Sequence, residues 1–222
     1  MARRTKEEAS LTRAKLLDAA ELVFLEKGVS SASLNEIALR AGATRGAVYW
    51  HFRDKLDLFY AMLERVTLPM EHAAYSCEPE STPLEGLECV RNMISTVLKQ
   101  VERDDRTCRV FEILLNKVEY VGELSAIRER NSVAMMRFGK RIEECLRVAQ
   151  CQQKTCTSIE LAGSALALRA MVDGLIRSWL LSRGAFELER LGISALNAYL
   201  VGLGFEVDAC SNKPGSVKVM RQ

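Results

Sequence analysis

The sequence predicts an all-α chain, with a small helix-turn-helix head at the N-terminus and a larger helical body behind it. Three observations carry this. The chain is rich in Ala, Leu, Glu and Arg and holds only 4 prolines in 222 residues, a composition that favours helix. Apolar residues recur three and four apart along segment after segment, and no stretch alternates as a half-buried strand would. The punctuation also changes scale: short segments closed by glycine come first, and long amphipathic ones follow a polar break at 78–83.

The first helix is expected over Glu8 to Lys27, with Leu16, Ala20 and Phe24 on one stripe, joined by Leu17 and Val23. Gly28 stands where a left-handed C-terminal cap is wanted. Ser33-Leu34-Asn35-Glu36 reads as a capping box, in which Ser33 caps the N3 amide and Glu36 reaches back. The helix it opens buries Leu34, Ile37, Ala38 and Ala41 and stops at Gly42. Thr44 is the N-cap of a third helix, Arg45 to Phe52. Asp54 caps a fourth, with Asp57 at its N3 position, a stripe of Leu58, Met62 and Val66, and Pro69 as a kink or an end. The body is expected as amphipathic segments at 84–103, 106–118, 123–152, 157–182 and 187–205, with a frayed tail over 207–222.

Bulk properties exclude more than they assign. No apolar run approaches the roughly 18–20 residues of a membrane span, and MARRTKEEAS lacks the apolar region of a signal peptide. A cytoplasmic protein with no membrane partner is therefore expected. The net charge is only +2, and the excess lies in the first third, where Arg3, Arg4 and Lys6 cluster; DNA binding must be argued from pattern. Cys77, Cys89, Cys108, Cys145, Cys151, Cys156 and Cys210 are odd in number and contain no C-x-x-C pair. They read as thiols in a reducing compartment, without a zinc site. A redox switch through Cys145, Cys151 or Cys156 is the alternative control device. No nucleophile–base pairing, phosphate loop or metal constellation points to an enzyme, and no cofactor is implied.

Two short helices around a glycine-containing turn form a helix-turn-helix. In TRGAVYWHF, residues 44–52, Val48 and Phe52 share one face and can pack on Ile37 and Phe24. Thr44, Arg45, Ala47 and His51 turn the other way, as the base-reading end of a recognition helix does. Arg45 suits guanine O6 and N7, and Ala47 a thymine methyl. Gly46 allows close backbone approach, while Tyr49, Trp50, His51 and Lys55 hold phosphates or line the groove wall. On spacing alone, the same segment would serve equally well as a core helix.

The run Ser33-x-x-x-Ile37-Ala38-x-x-Ala41-Gly42-Ala43-Thr44-Arg45-Gly46-x-Val48-Tyr49-x-His51-Phe52-x-x-Lys55-x-x-Leu58 resembles the DNA-binding domain of TetR-family repressors. Ala43 and Ser33 depart mildly, from the Val and Thr common there. RRTKEEA and TRGAVYWHF, with NKVEYVGEL, VDGLIRSWLL and FELE in the body, are similar to the AcrR-like repressors of multidrug efflux pumps. The resemblance implies a DNA-binding domain over 1–60, contacting DNA through Ser33, Thr44, Arg45, Gly46, Ala47, Tyr49, Trp50, His51 and Lys55. It implies a ligand-binding and dimerisation domain over 61–206 and release from operator DNA by a hydrophobic or cationic effector. The last two helices would pair with their copies in a homodimer. The apolar band Leu161, Ala165, Leu168, Val172, Leu175, Ile176 and Trp179 fits that pairing, with Leu191, Ala195, Leu196, Tyr199 and Leu203 on the second helix; core packing explains the band as well. Phe111, Leu115, Asn116, Met135, Phe138 and Met171 are the candidate lining of an effector pocket. Glu112 is placed there to accept a cation, or else pairs with Arg109.

Overall fold

The periodicity becomes nine α-helices among the described residues of a computed structural model, which are 2–75, 86–120, 122–153 and 160–207. They are α1 (Ala2–Lys27), α2 (Leu34–Arg40), α3 (Arg45–His51), α4 (Lys55–Tyr75), α5 (Gly86–Arg103), α6 (Asp105–Asn116), α7 (Ser125–Gln153), α8 (Leu161–Leu181) and α9 (Leu188–Gly202). A single 3₁₀ turn, Gly122–Leu124, leads into α7. The polar break at 78–83, Cys77, Cys156, Cys210 and the tail from 208 onward lie outside the described residues.

Among the boundaries that differ from expectation, three have a local cause. α1 starts at Ala2 instead of Glu8, because its charged opening turns are good helix formers. α4 runs through Pro69 to Tyr75. Proline donates no N–H, so the Arg65 carbonyl loses its usual helical partner at that point. α6 begins one residue earlier than read, since Asp104 is its N-cap: the carboxylate accepts from the Thr107 amide at 2.8 Å. The Thr107 hydroxyl donates to the same carboxylate at 2.6 Å, and it first, then the amide, hold the Asp104 carboxyl below its ordinary pKa.

Two hydrophobic clusters organise the chain. The first joins Leu16, Phe24, Ile37, Val48, Phe52, Phe59 and Met62 of the head to Val110, Ile113 and Leu114 of α6 and to Ile127 of α7. The second is built from α5, α7, α8 and α9 around Val90, Ile94, Leu98, Leu146, Leu168 and Leu196. α4 serves both, with Val66 in the first and Met70 in the second. The expected domain boundary at 60 therefore falls inside α4, and the head's core reaches well beyond it.

Of the two readings of the apolar band on α8, the structure favours core packing within the chain. Ala165, Leu168, Val172 and Ile176 are buried in the chain's own core, and Leu161, Leu175 and Trp179 pack against it. On α9, Leu196 is likewise buried, and Tyr199 and Leu203 pack inward. What these helices leave uncovered is the opposite side: Ala167, Ala170, Gly174, Ser178 and Leu181 on α8, with Leu191, Ser194, Ala198 and Val201 on α9. Spaced three and four apart, each set is a continuous helix face.

Candidate DNA-reading head and effector cavity

Local chemistry sets up the head. Ser33 Oγ accepts from the Glu36 amide at 3.2 Å, and the Ser33 amide donates back to Glu36 Oε2 at 3.0 Å, so the capping box is complete. Lys27, in the last turn of α1, pairs with the same carboxylate. The Lys27 ammonium first, then the Ser33 amide and hydroxyl, hold the Glu36 carboxyl down at about 2, from an ordinary 4.5. A group depressed on folding stabilises above its unfolded pKa and loses that contribution as pH falls through its folded value. Stability is therefore expected to drop between about pH 4.5 and pH 2 by a component that Glu36→Gln lacks. Denaturant midpoints of the two proteins across that interval check this; parallel pH profiles would contradict it.

Gly42 takes the left-handed conformation, φ 65°, that turns α2 toward α3. Thr44 then caps α3, its Oγ1 accepting from the Ala47 amide at 3.2 Å. Val48 and Phe52 are 0% and 2% exposed and join Ile37 and Phe24 in the first core. The rest of α3 faces out. Trp50 is 72% exposed and Tyr49 49%, large aromatic surfaces that a closed core would not leave in water. The exposed Arg45 guanidinium lies over the Tyr49 ring, 5.5 Å from its centroid, with Nη2 3.4 Å from the hydroxyl. His51 stands edge-on to Trp50 at 4.5 Å. Burial, and secondarily the charge of Arg13, push its pKa down.

Lys55, expected at the phosphates, also makes contacts within the protein. Its ammonium donates to the Ser30 carbonyl at 2.8 Å and the Ala32 carbonyl at 3.0 Å, tying the start of α4 to the loop before α2. A cation on two carbonyls helps to hold the helix-turn-helix frame. Lys55→Ala is expected to lower stability by about 1–2 kcal/mol and to leave the salt dependence of DNA binding nearly unchanged. Chemical denaturation and a salt titration check both; a loss of salt slope at full stability would restore the phosphate role.

Behind the head lie two adjoining cavities. The smaller, about 150 Å³, is lined by Thr67, Met70 and Glu71 of α4, Phe111 and Leu114 of α6, Met135 and Phe138 of α7, and Val172, Asp173 and Ile176 of α8, among others. The larger, about 490 Å³, is bordered by Leu115, Tyr120, Arg128, Met135, Lys140, Glu143 and Leu166. Leu114, Asn131, Met135 and Arg169 border both. Of the expected lining, Phe111 and Phe138 face the smaller cavity, Leu115 the larger and Met135 each. Glu112, Asn116 and Met171 border neither: the Asn116 amide donates to Glu112 at 2.8 Å, and Met171 packs on the second core. The acids at the walls are Glu71 and Asp173 in the smaller cavity and Glu143 in the larger. Arg169 and Asp173 are legible in principle, as an opposite-charge pair four apart on a mostly apolar helix. Burial raises the Asp173 pKa, opposed by Arg169 and Arg177.

Arg109 pairs with Glu21, not with Glu112. Glu21 of α1 is 1% exposed yet ionisable. It takes Arg65 of α4 at 2.6 Å, Arg106 at 3.3 Å and Arg109 of α6 at 3.3 Å. Asp18, one turn earlier, accepts from Arg65 and Arg106 as well. This node fastens α1 to the two helices that also wall the smaller cavity.

Of the cysteines named for a thiol switch, Cys145 is buried, Cys151 is exposed and Cys156 lies outside the described residues. Cys89 is buried too, and burial, then Glu112 and Asp105, raise the Cys108 thiol. No group of three potential ligands that could hold a metal occurs among the described residues. No described helix is long and apolar enough to cross a membrane.

Comparison with known proteins bears on both halves of the chain. Residues 16–62 match the profile of bacterial regulatory proteins of the tetR family, and residues 85–205 that of the C-terminal region of MAATS-type transcriptional repressors. The chain is 38% identical over 188 residues to the HTH-type transcriptional regulator TtgR of Pseudomonas putida, covering 85% of this chain and 89% of that one. It is 34% identical over 195 residues to the HTH-type transcriptional regulator AcrR of Shigella flexneri, covering 86% and 88%. Among solved structures it is similar to NalD, the secondary repressor of the MexAB-OprM multidrug efflux pump in Pseudomonas aeruginosa, with a TM-score of 0.74 and 31% identity over 89% of this chain and 96% of that one. It is similar to SmeT in complex with triclosan, with a TM-score of 0.74 and 30% identity over 93% and 96%.

Proposed function

The chain belongs to the TetR family of bacterial transcriptional repressors, and from that membership we propose a dimeric, operator-binding repressor that a small apolar effector releases from DNA. NalD and SmeT are repressors of multidrug efflux pumps, and we assign an efflux operon to this chain as its target. Arg45 reads a guanine edge, Ala47 meets a thymine methyl, and Gly46 brings the backbone close. Thr44, Tyr49, Trp50 and His51 flank these contacts on the groove wall and phosphates. Ser33 and Lys55 hold the frame that presents them.

The observation that carries effector control is the double membership of α4 and α6. Thr67, Met70, Phe111 and Leu114 border the smaller cavity, while Val66 and Ile113 on the same two helices sit in the core of the head. An occupant that shifts those walls shifts the head with them. It changes the equilibrium only by its difference in affinity for the two arrangements, typically about 1–3 kcal/mol.

Dimerisation through α8 and α9 is supported by their uncovered faces. Ala167, Ala170 and Gly174 allow close helix approach, and Leu181, Leu191 and Val201 supply apolar area at the ends. Two recognition helices would then meet half-sites about one helical turn, roughly 34 Å, apart. Selection from a random duplex pool, followed by footprinting, tests this. It should return an inverted repeat with that spacing, bound by an even number of chains in sedimentation. Recovery of single half-sites bound by a monomer would remove the dimeric reading.

A further inference from the structure

The described arginines of the head divide by their partners. Arg40 pairs with Glu26, and Arg65 with Asp18 and Glu21. Arg13, Arg45 and Arg53 are exposed, and no described carboxylate pairs with their guanidinium groups. These three surround α3. Arg45 is its first residue, and Arg53 follows its C-cap, Phe52. Arg13 arrives from α1: its guanidinium lies over the Phe52 ring, 5.2 Å from the centroid, and its charge reaches His51 in the last turn of α3. The Phe52 ring is buried, so this contact fixes the guanidinium at the edge of the core. Its N–H donors take no hydrogen-bond partner among the described residues.

The length of α3 says what such a cation can reach. Seven residues of helix span about 10 Å, close to the roughly 12 Å width of the major groove. With the first turn on the bases, the far end of α3 comes up at the edge of the groove, where the phosphates run. The planar fork of arginine matches phosphate oxygens.

We propose that Arg13 of α1 binds a DNA phosphate at the groove edge beside the C-terminal end of α3, which makes α1 part of the DNA-binding surface. This rests on the operator-binding reading above and adds a contact that positions the recognition helix without reading a base. A mere clamp on Phe52 needs the stem of Arg13 but not its charge, and the two roles separate on that point.

Salt titrations of DNA binding, read by anisotropy, test it with the inverted-repeat duplex returned by selection and a scrambled duplex of the same length. Arg13→Met keeps an unbranched stem over Phe52 and loses the charge. It should weaken binding to both duplexes by about tenfold per head at about 0.1 M salt and lower the salt slope by about 0.9 per head. The ratio of the two affinities should stay within about twofold of the parent's, since a phosphate contact carries no sequence information. Arg13→Lys, still a cation, should recover most of the slope. Arg137→Met removes the same charge from an exposed position on α7, outside the head, and should leave the slope at the parent's value. The proposal is overturned if Arg13→Met keeps the parent's slope, whether or not it melts lower, or if Arg137→Met lowers the slope as much. A parent protein that binds neither duplex would remove the operator-binding reading, and this contact with it.

Discussion

Arg45→Ala is expected to bring the affinity for operator down close to that for unrelated DNA, with the fold and the dimer unaffected. The side chain is exposed on the first turn of α3, touches only Tyr49 among the contacts described, and takes no part in either core. The helix beneath it depends on other groups: the Thr44 cap and the buried Val48 and Phe52. A good bidentate contact to guanine is worth about 1–3 kcal/mol of discrimination. The proposed dimer would make it twice, so about 2–6 kcal/mol should go, a large part of the roughly 4–10 kcal/mol that separates specific from non-specific binding. Anisotropy titrations with the operator and a scrambled duplex measure the difference. If the variant kept the parent's preference within about twofold, another residue would be reading the base.

Glu21→Leu is expected to be the most destabilising single change in the head. It removes the one acid that Arg65, Arg106 and Arg109 share and leaves Arg109 without its ion-pair partner. Removing one partner of a buried pair costs about 3–5 kcal/mol. The three guanidinium side chains retain 22–43% of their exposure, so water recovers part of that and about 2–4 kcal/mol is the better figure. At about 2–4 °C per kcal/mol for a chain of this length, the melting temperature should fall by roughly 5–15 °C. Replacing the acid with an apolar side chain does not offset the loss, because the cations stay. The same variant loosens α1 from α4 and α6, so ligand binding should depend less on whether operator is bound. Calorimetry reads the first effect, and ligand titration with and without DNA reads the second. An unchanged melting temperature would show that the node stabilises nothing.

The parts legible in the sequence are those written in local chemistry. Ser33, Glu36, Gly42 and Thr44 act within a turn of their own position, and Val48 and Phe52 declare their common side by spacing alone. The family resemblance, carried by the residues around TRGAVYWHF, supplied the rest of the fold class. What spacing could not show are partners far along the chain. Glu21 meets Arg65 44 residues on and Arg109 88 residues on. Lys55 reaches back 23 and 25 residues to two carbonyls that carry no side-chain signal. α8 is apolar or small nearly all round, so periodicity could not say which face met the chain's own core. For the same reason Glu112, apolar-flanked in sequence, passed for the pocket acid, whereas the wall holds Asp173.

In the proposed mechanism the cavity and the head are one thermodynamic unit. Operator release tests this most directly: a labelled operator duplex bound to the protein, titrated with a panel of hydrophobic drug-like compounds and read by anisotropy, with calorimetric affinities for the same compounds alongside. Compounds that bind should weaken operator affinity by about 5–150-fold, the range of a coupling of 1–3 kcal/mol, and the order of release should follow the order of binding. Compounds that fill the cavity and leave operator affinity unchanged would contradict it.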